Sequence, residues 1–174
     1  FSAVELRNPA ANYHMLTLDE VKKQIPGFDW SAFYNALGIN GIKGSGVVAE
    51  CYISGGLPAF DIVGLPDSAV KESHERIISA LQVNGYKFPT RQIVVNMAPA
   101  DIRKEGSSYD LPLAIGILAS AGEIREEKLS KYLIIGELSL DGSLQPIKGA
   151  LPIAISARAQ GFEGFILPKQ NARE

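Results

Sequence analysis

The chain has 174 residues, 46% of them hydrophobic, with 17 Lys and Arg against 19 Asp and Glu and a formal net charge of −2. That describes a domain with a core, alone or with a small appendage, and excludes both a disordered segment and a free-standing basic nucleic-acid binder. Its single cysteine, Cys51, excludes an internal disulfide framework and a thiolate zinc site built by this chain, and suits a reducing, cytoplasmic setting.

No apolar run reaches the roughly 18 residues of a membrane helix, so no membrane partner is expected. A chain that opens on Phe1 reads as a processed product or an excised piece.

Residues 1–37 differ in texture from the rest. Thr17 with Glu20 three residues later has the form of a capping box, and the helix it opens stops before Pro26-Gly27. A second short helix fits residues 29–37, with Trp30, Phe33, Tyr34 and Leu37 on one apolar face. Two helices this short need a surface to dock on. From Gly38 onward the pattern is α/β. Residues 47–54 and 59–64 read as strands joined by a Gly55-Gly56-Leu57-Pro58 turn. Pro66-Asp67-Ser68 opens a helix to Val83, with Asp67 as cap and Ala69, Val70, Ser73, Ile77, Ala80 and Leu81 as its buried stripe. A β-branched strand covers residues 91–97, a polar loop 100–109, and an apolar helix 111–121. A strand over 132–140 turns at Asp141-Gly142 into a return strand, 143–147. A helix over 149–160 and a short strand over 165–167 close the chain.

The phosphate loop G-x-x-x-x-G-K-[ST] is absent. The Gly-rich stretches 41–46 and 54–56 read as turns between strands. His14 and His74 lie in separate segments, with no metal-ligand spacing. His74 sits among charges on a solvated helix face, and Glu72 with Arg76 forms an i, i+4 surface pair. Four stretches carry more constraint than packing needs: residues 60–67, 96–106, 107–112 and 136–142. Turn and cap chemistry explains their Gly, Pro, Asp and Ser positions, yet a charged loop after a strand is also where α/β architectures place function.

Those stretches read GLPAFDIVGLPDSAVKESHERI, IVVNMAPADIRKEGSSYDLPLAIGILA and GELSLDGSLQPIKGALPIA. In that order they resemble the N-terminal domain of the ComM/YifB family, the bacterial magnesium-chelatase-like AAA+ ATPases. The likeness covers residues 38–174. It implies an α/β (α+β) fold like that of the Lon proteolytic domain and of the second domain of a small-subunit ribosomal protein. Such a fold has a mixed sheet with packed helices, here preceded by a short helical segment. It also implies a parent protein that processes DNA during natural transformation, by branch migration, as a ring of identical subunits. The ATP and Mg would belong to a motor beyond Glu174, with no cofactor and no metal held by this chain. Residues 1–37 weakly resemble a segment of neprilysin-type zinc endopeptidases, which implies a fusion or chimera joined near residues 35–40.

The Lon likeness carries a residue-level test. Ser108, in Gly106-Ser107-Ser108-Tyr109-Asp110, matches the Lon nucleophile. In Pro146-Ile147-Lys148-Gly149-Ala150-Leu151, Leu151 stands at the position of Lon's general-base lysine, and Lys148 comes three residues early. A serine without a base is a poor nucleophile, so no catalytic residue is expected. The leading expectation is a non-catalytic regulatory or assembly domain. The alternative is a peptidase-related fragment, either degenerate Lon-like or neprilysin-like. A third possibility is a DNA-contacting module using Lys71, Arg76, Lys87, Arg91, Arg103 and Lys104. The 14 basic and 15 acidic residues from Gly38 onward make any such surface a local patch.

Overall fold

The computed structural model describes residues 3–4 and 46–173. The helices expected over 17–25 and 29–37, His14, the join near residue 38 and the Gly-rich stretch up to residue 45 lie outside the described residues. The elements in chain order are β1 (Ala3–Val4), β2 (Val48–Ser54), β3 (Ala59–Val63), α1 (Ser68–Lys71), α2 (Ser73–Val83), β4 (Gln92–Ala98), α3 (Asp110–Ser120), β5 (Tyr132–Ile134), β6 (Glu137–Leu138), β7 (Leu144–Gln145), α4 (Ala150–Ala159) and β8 (Gly164–Ile166). Short 3₁₀ turns precede α3 and β5 and follow β8.

Three small sheets organise these elements. The largest has the order β2-β4-β3, with β2 antiparallel and β3 parallel to the central β4. The second has the order β1-β8-β5, and β6 and β7 form the hairpin. This mixed α/β arrangement is the expected class of fold. Strand alternation puts Ile93, Val95 and Met97 of β4 on the inner face, fully buried. Val70, Ile77, Leu113 and Ile117 of the helices pack over them in one cluster. A second, smaller cluster joins Ala150 and Ile153 of α4 to Phe165 and Leu167.

Helix α3 lies close on β2 because Gly116 has no side chain; a Cβ there would sit 2.5 Å from Cys51 Sγ. The expected helix over 66–83 is broken at Glu72 into α1 and α2, although its buried stripe is as read except for half-buried Ala69. The expected strand over 132–140 is also two strands: the Ile135 amide still reaches Ile166 of β8, but the Gly136 amide turns to the Ser108 carbonyl instead.

Candidate functional site

The parallel neighbours β3 and β4 end side by side, with Val63 opposite Asn96. Loops leaving the carboxyl ends of parallel strands are where α/β sheets build sites. After β3 the chain turns through Gly64, at φ 98°, and Leu65, at φ 57°. A Cβ on Gly64 would lie 2.1 Å from the Met97 carbonyl oxygen, so only glycine fits. A left-handed leucine is strained by roughly 1–2 kcal/mol and needs its surroundings to hold it. They do so through a clip to the loop after β4. The Lys104 amide donates to the Leu65 carbonyl (3.1 Å), and the Asp67 amide to the Lys104 carbonyl (2.9 Å).

Asp67 is the cap that the sequence indicates, with a further duty. Its Oδ1 accepts from the Val70 amide (2.8 Å) at the start of α1, and its Oδ2 from the Gly106 amide (3.0 Å). One carboxylate thus ties a helix start to a loop 39 residues away. Lys104 is fully buried, and its Nζ donates to the Pro99 carbonyl, closing residues 99–104 on themselves. Burial pushes its amine below the ordinary lysine value, against the pull of the Asp101 charge.

Beyond this clip, Asp110 is fully buried in the first turn of α3. Arg76 of α2 grips it in two places, Nε to Oδ2 at 2.7 Å and Nη2 to Oδ1 at 2.9 Å. The same Nη2 also donates to the Ala69 carbonyl, and the Leu138 amide donates to Asp110 Oδ2. Desolvation pushes the Asp110 carboxyl up, opposed by the guanidinium and the Leu138 amide. The carboxylate in turn pushes Arg76 up. The surface pair Glu72–Arg76 expected from spacing is therefore replaced by a long-range pair. Likewise the cap chemistry expected of residues 107–110 is absent: Asp110 binds Arg76, and the Ser107 hydroxyl donates to Glu137. Backbone bonds from Gly136 to the Ser108 carbonyl (2.9 Å) and from Leu111 to the Gly136 carbonyl (3.0 Å) complete the seam.

This places each residue named from sequence. Ser108 is half-buried in the turn before α3, and among the described residues no side chain hydrogen-bonds to its hydroxyl. Leu151 is 44% exposed in the first turn of α4, and Lys148 lies exposed ahead of it. Of the basic candidates, Lys104 is buried and Arg76 is held by Asp110, so neither presents an available cation. Arg103 is exposed and paired with Glu105 (3.0 Å). Lys71, Lys87 and Arg91 are exposed. Arg91 and Arg103 flank opposite ends of β4, roughly 20 Å apart for a strand of this length, so the structure does not unite them. His74 departs from the solvated reading: its ring stacks on Phe60 (4.4 Å between centroids) and meets the edge of Phe88.

Sequence reasoning missed the Asp110–Arg76 pair and the buried amine of Lys104. One signal was available for the first. A carboxylate directly before the apolar Leu111-Pro112-Leu113 run has to be buried, and a buried carboxylate needs a partner. Among the described residues no cluster of His, Cys, Asp and Glu could hold a metal ion, and no helix is long and apolar enough to cross a membrane.

The arrangement is a carboxylate-and-backbone brace around the ends of β3, β4 and β6. Its residues fall within the part of the chain, 49–171, that matches the family model for "Subunit ChlI of Mg-chelatase". The chain belongs to the ChlI family of Mg-chelatase subunits. It is 42% identical to YifB of Escherichia coli over 139 residues, which is 80% of this chain and 27% of YifB. It is 41% identical to the competence protein ComM of Haemophilus influenzae over 134 residues, 77% of this chain and 26% of ComM. Lon protease 2 of Bacillus subtilis is 30% identical over 104 residues, 60% of this chain and 18% of the protease. The chain thus spans about a quarter of the length of its ChlI-family relatives, and its resemblance to the ComM/YifB family stands. These matches give no support to a neprilysin-like segment in residues 1–37.

Proposed function

We propose that this chain is the non-catalytic N-terminal regulatory and assembly domain of a ComM-like AAA+ ATPase that acts in DNA processing. The observation that carries the reading is the 41% identity to a competence protein, over a stretch in which Asp67, Arg76, Lys104 and Asp110 are engaged in bracing loops. Lys104, Arg76, Asp110 and Asp67 hold the fold around Ser108, the serine that matches the Lon nucleophile. At the position of its base stands the exposed side chain of Leu151. Among the described residues no side chain hydrogen-bonds to the Ser108 hydroxyl to take its proton, which supports the non-catalytic reading. ATP and Mg would act in a motor elsewhere in the parent protein, since no phosphate loop lies in these residues.

The chain is expected to turn over neither ATP nor an unfolded protein substrate. It should also resist labelling at Ser108 by a fluorophosphonate. Labelling abolished by Ser108→Ala would overturn the reading in favour of the Lon-like one. In the parent protein, removing this domain is expected to lower DNA-stimulated ATP turnover, and unchanged turnover would overturn the regulatory role.

A further inference from the structure

The outer face of the β2-β4-β3 sheet carries apolar side chains that no described element covers. Val48 is 58% exposed, Tyr52 67% and Val63 48%. The register aligns them in rows: Tyr52 beside Val94 and Asp61, then Glu50 beside Asn96 and Val63. Glu50 and Asp61 are both exposed, and no Lys or Arg stands in these strands. The face thus sets apolar Val48, Tyr52, Val94 and Val63 among polar Gln92 and Asn96 and two carboxylates, of which Glu50 accepts from the Asn96 amide nitrogen (2.7 Å).

A second patch has the opposite character. On α4, Leu151 and Ile155 lie one turn apart and are 44% and 42% exposed. Exposed Lys148 precedes this stripe. Arg158, which keeps a contact within its own chain, borders it one turn on. An amphipathic helix with an apolar stripe and basic flanks is the complement of an apolar sheet face with carboxylates.

We propose that α4 of one copy docks its Leu151–Ile155 stripe on the outer sheet face of a second copy, with Lys148 set among Glu50 and Asp61. The two patches differ, so the contact is heterologous and repeats head to tail into a ring or a filament. Three strands of about six residues make a face of roughly 300 Å². A stable interface needs about 800 Å² per partner, so association through this contact alone is weak and concentration-dependent. The inference deepens the assembly reading and rests on it only for ring closure. The tests of catalysis proposed above read a different property, so the two can fail separately.

The test uses the full chain in sedimentation velocity from about 10 μM to about 1 mM, a range that covers weak association. Two variants, Val63→Asp and Ile155→Asp, each destroy one patch at an exposed position and should keep the wild-type thermal midpoint. The wild type is expected to associate with rising concentration, and each variant alone to stay monomeric. An equimolar mixture of the two is expected to form a one-to-one dimer and nothing larger, because each variant retains the patch that the other lacks. Charge reversal supplies a second arm: Asp61→Lys and Lys148→Glu each weaken association, and the double variant restores it. A wild type monomeric at about 1 mM overturns the proposal and leaves the face to a foreign partner. A mixture that stays monomeric while the wild type associates overturns it equally.

Discussion

Replacing Arg76 by methionine would leave Asp110 one hydrogen bond, from Leu138, in a site with no solvent access. Breaking a buried pair from one side costs about 3–5 kcal/mol, so Arg76→Met should lower the urea midpoint by a large fraction of total stability. The double variant Arg76→Met/Asp110→Leu should recover most of the loss. A single-variant loss under about 1 kcal/mol would mean that the pair behaves as a surface one. The loss also has a pH sign. Desolvation already raises Asp110, and without the guanidinium it rises further. A carboxyl raised in the folded state stabilises below its unfolded value and loses that stabilisation as pH rises through the folded value. The penalty of Arg76→Met should therefore grow as pH rises through the wild-type Asp110 value, which lies above the ordinary carboxyl value of about 4. Cys51 gives a second prediction. Burial alone pushes its thiol up to about 11, so alkylation at neutral pH should be slow in the folded chain and fast after unfolding. The same shift predicts that stability falls as pH rises from the ordinary thiol value toward 11. Fast labelling of the native chain would contradict the packing of Cys51 against α3. Neither Arg76 nor Cys51 declared its surroundings locally. Arg76 has Glu72 one turn away but binds a residue 34 positions distant.

Element existence was legible because periodicity is local. The alternation of β4, the stripe of α2 and the stop at Gly122 can all be read from a few neighbours, and the structure moves most ends by one residue. The breaks were not legible. Glu72 separates α1 from α2 while Arg76 reaches back to the Ala69 carbonyl, and Gly136 leaves the β5 line because its amide is drawn to Ser108. Both depend on partners brought in by the fold. The packing of α3 on β2 supplies a test of such a contact. Gly116→Ala would set a methyl 2.5 Å from Cys51 Sγ and should cost about 1–3 kcal/mol through overpacking. With Cys51→Ala in the same chain the clash disappears, since the next nearest atom, Cys51 Cβ, is at an ordinary 3.5 Å. The two substitutions should thus be markedly non-additive in thermal unfolding, and simple additivity would show that the helix shifts instead.

At the scale of the molecule, the apolar interior falls into a large cluster around β4, α2 and α3 and a small one around α4 and β8. The small cluster has fewer apolar contacts to lose, so native-state hydrogen exchange should open α4 and β8 at lower denaturant than β4 and α3. Simultaneous opening would make the two a single cooperative unit. The α/β class was readable from the order of elements, but the sheet order was not, because β2 and β3 are joined by a tight turn and yet do not pair. Strand β4 lies between them, antiparallel to one and parallel to the other. That insertion has a consequence for synthesis. Both outer strands leave the ribosome before the central one exists, at about 5–20 residues per second. During that interval their backbone groups can satisfy one another in a hairpin that the finished protein must not contain. Productive folding then requires this pairing to open and admit a late strand, a non-local step that slows folding toward the millisecond-to-second range. Synonymous codons that change the pause between Val63 and Gln92 should therefore alter the yield of native chain without altering its sequence.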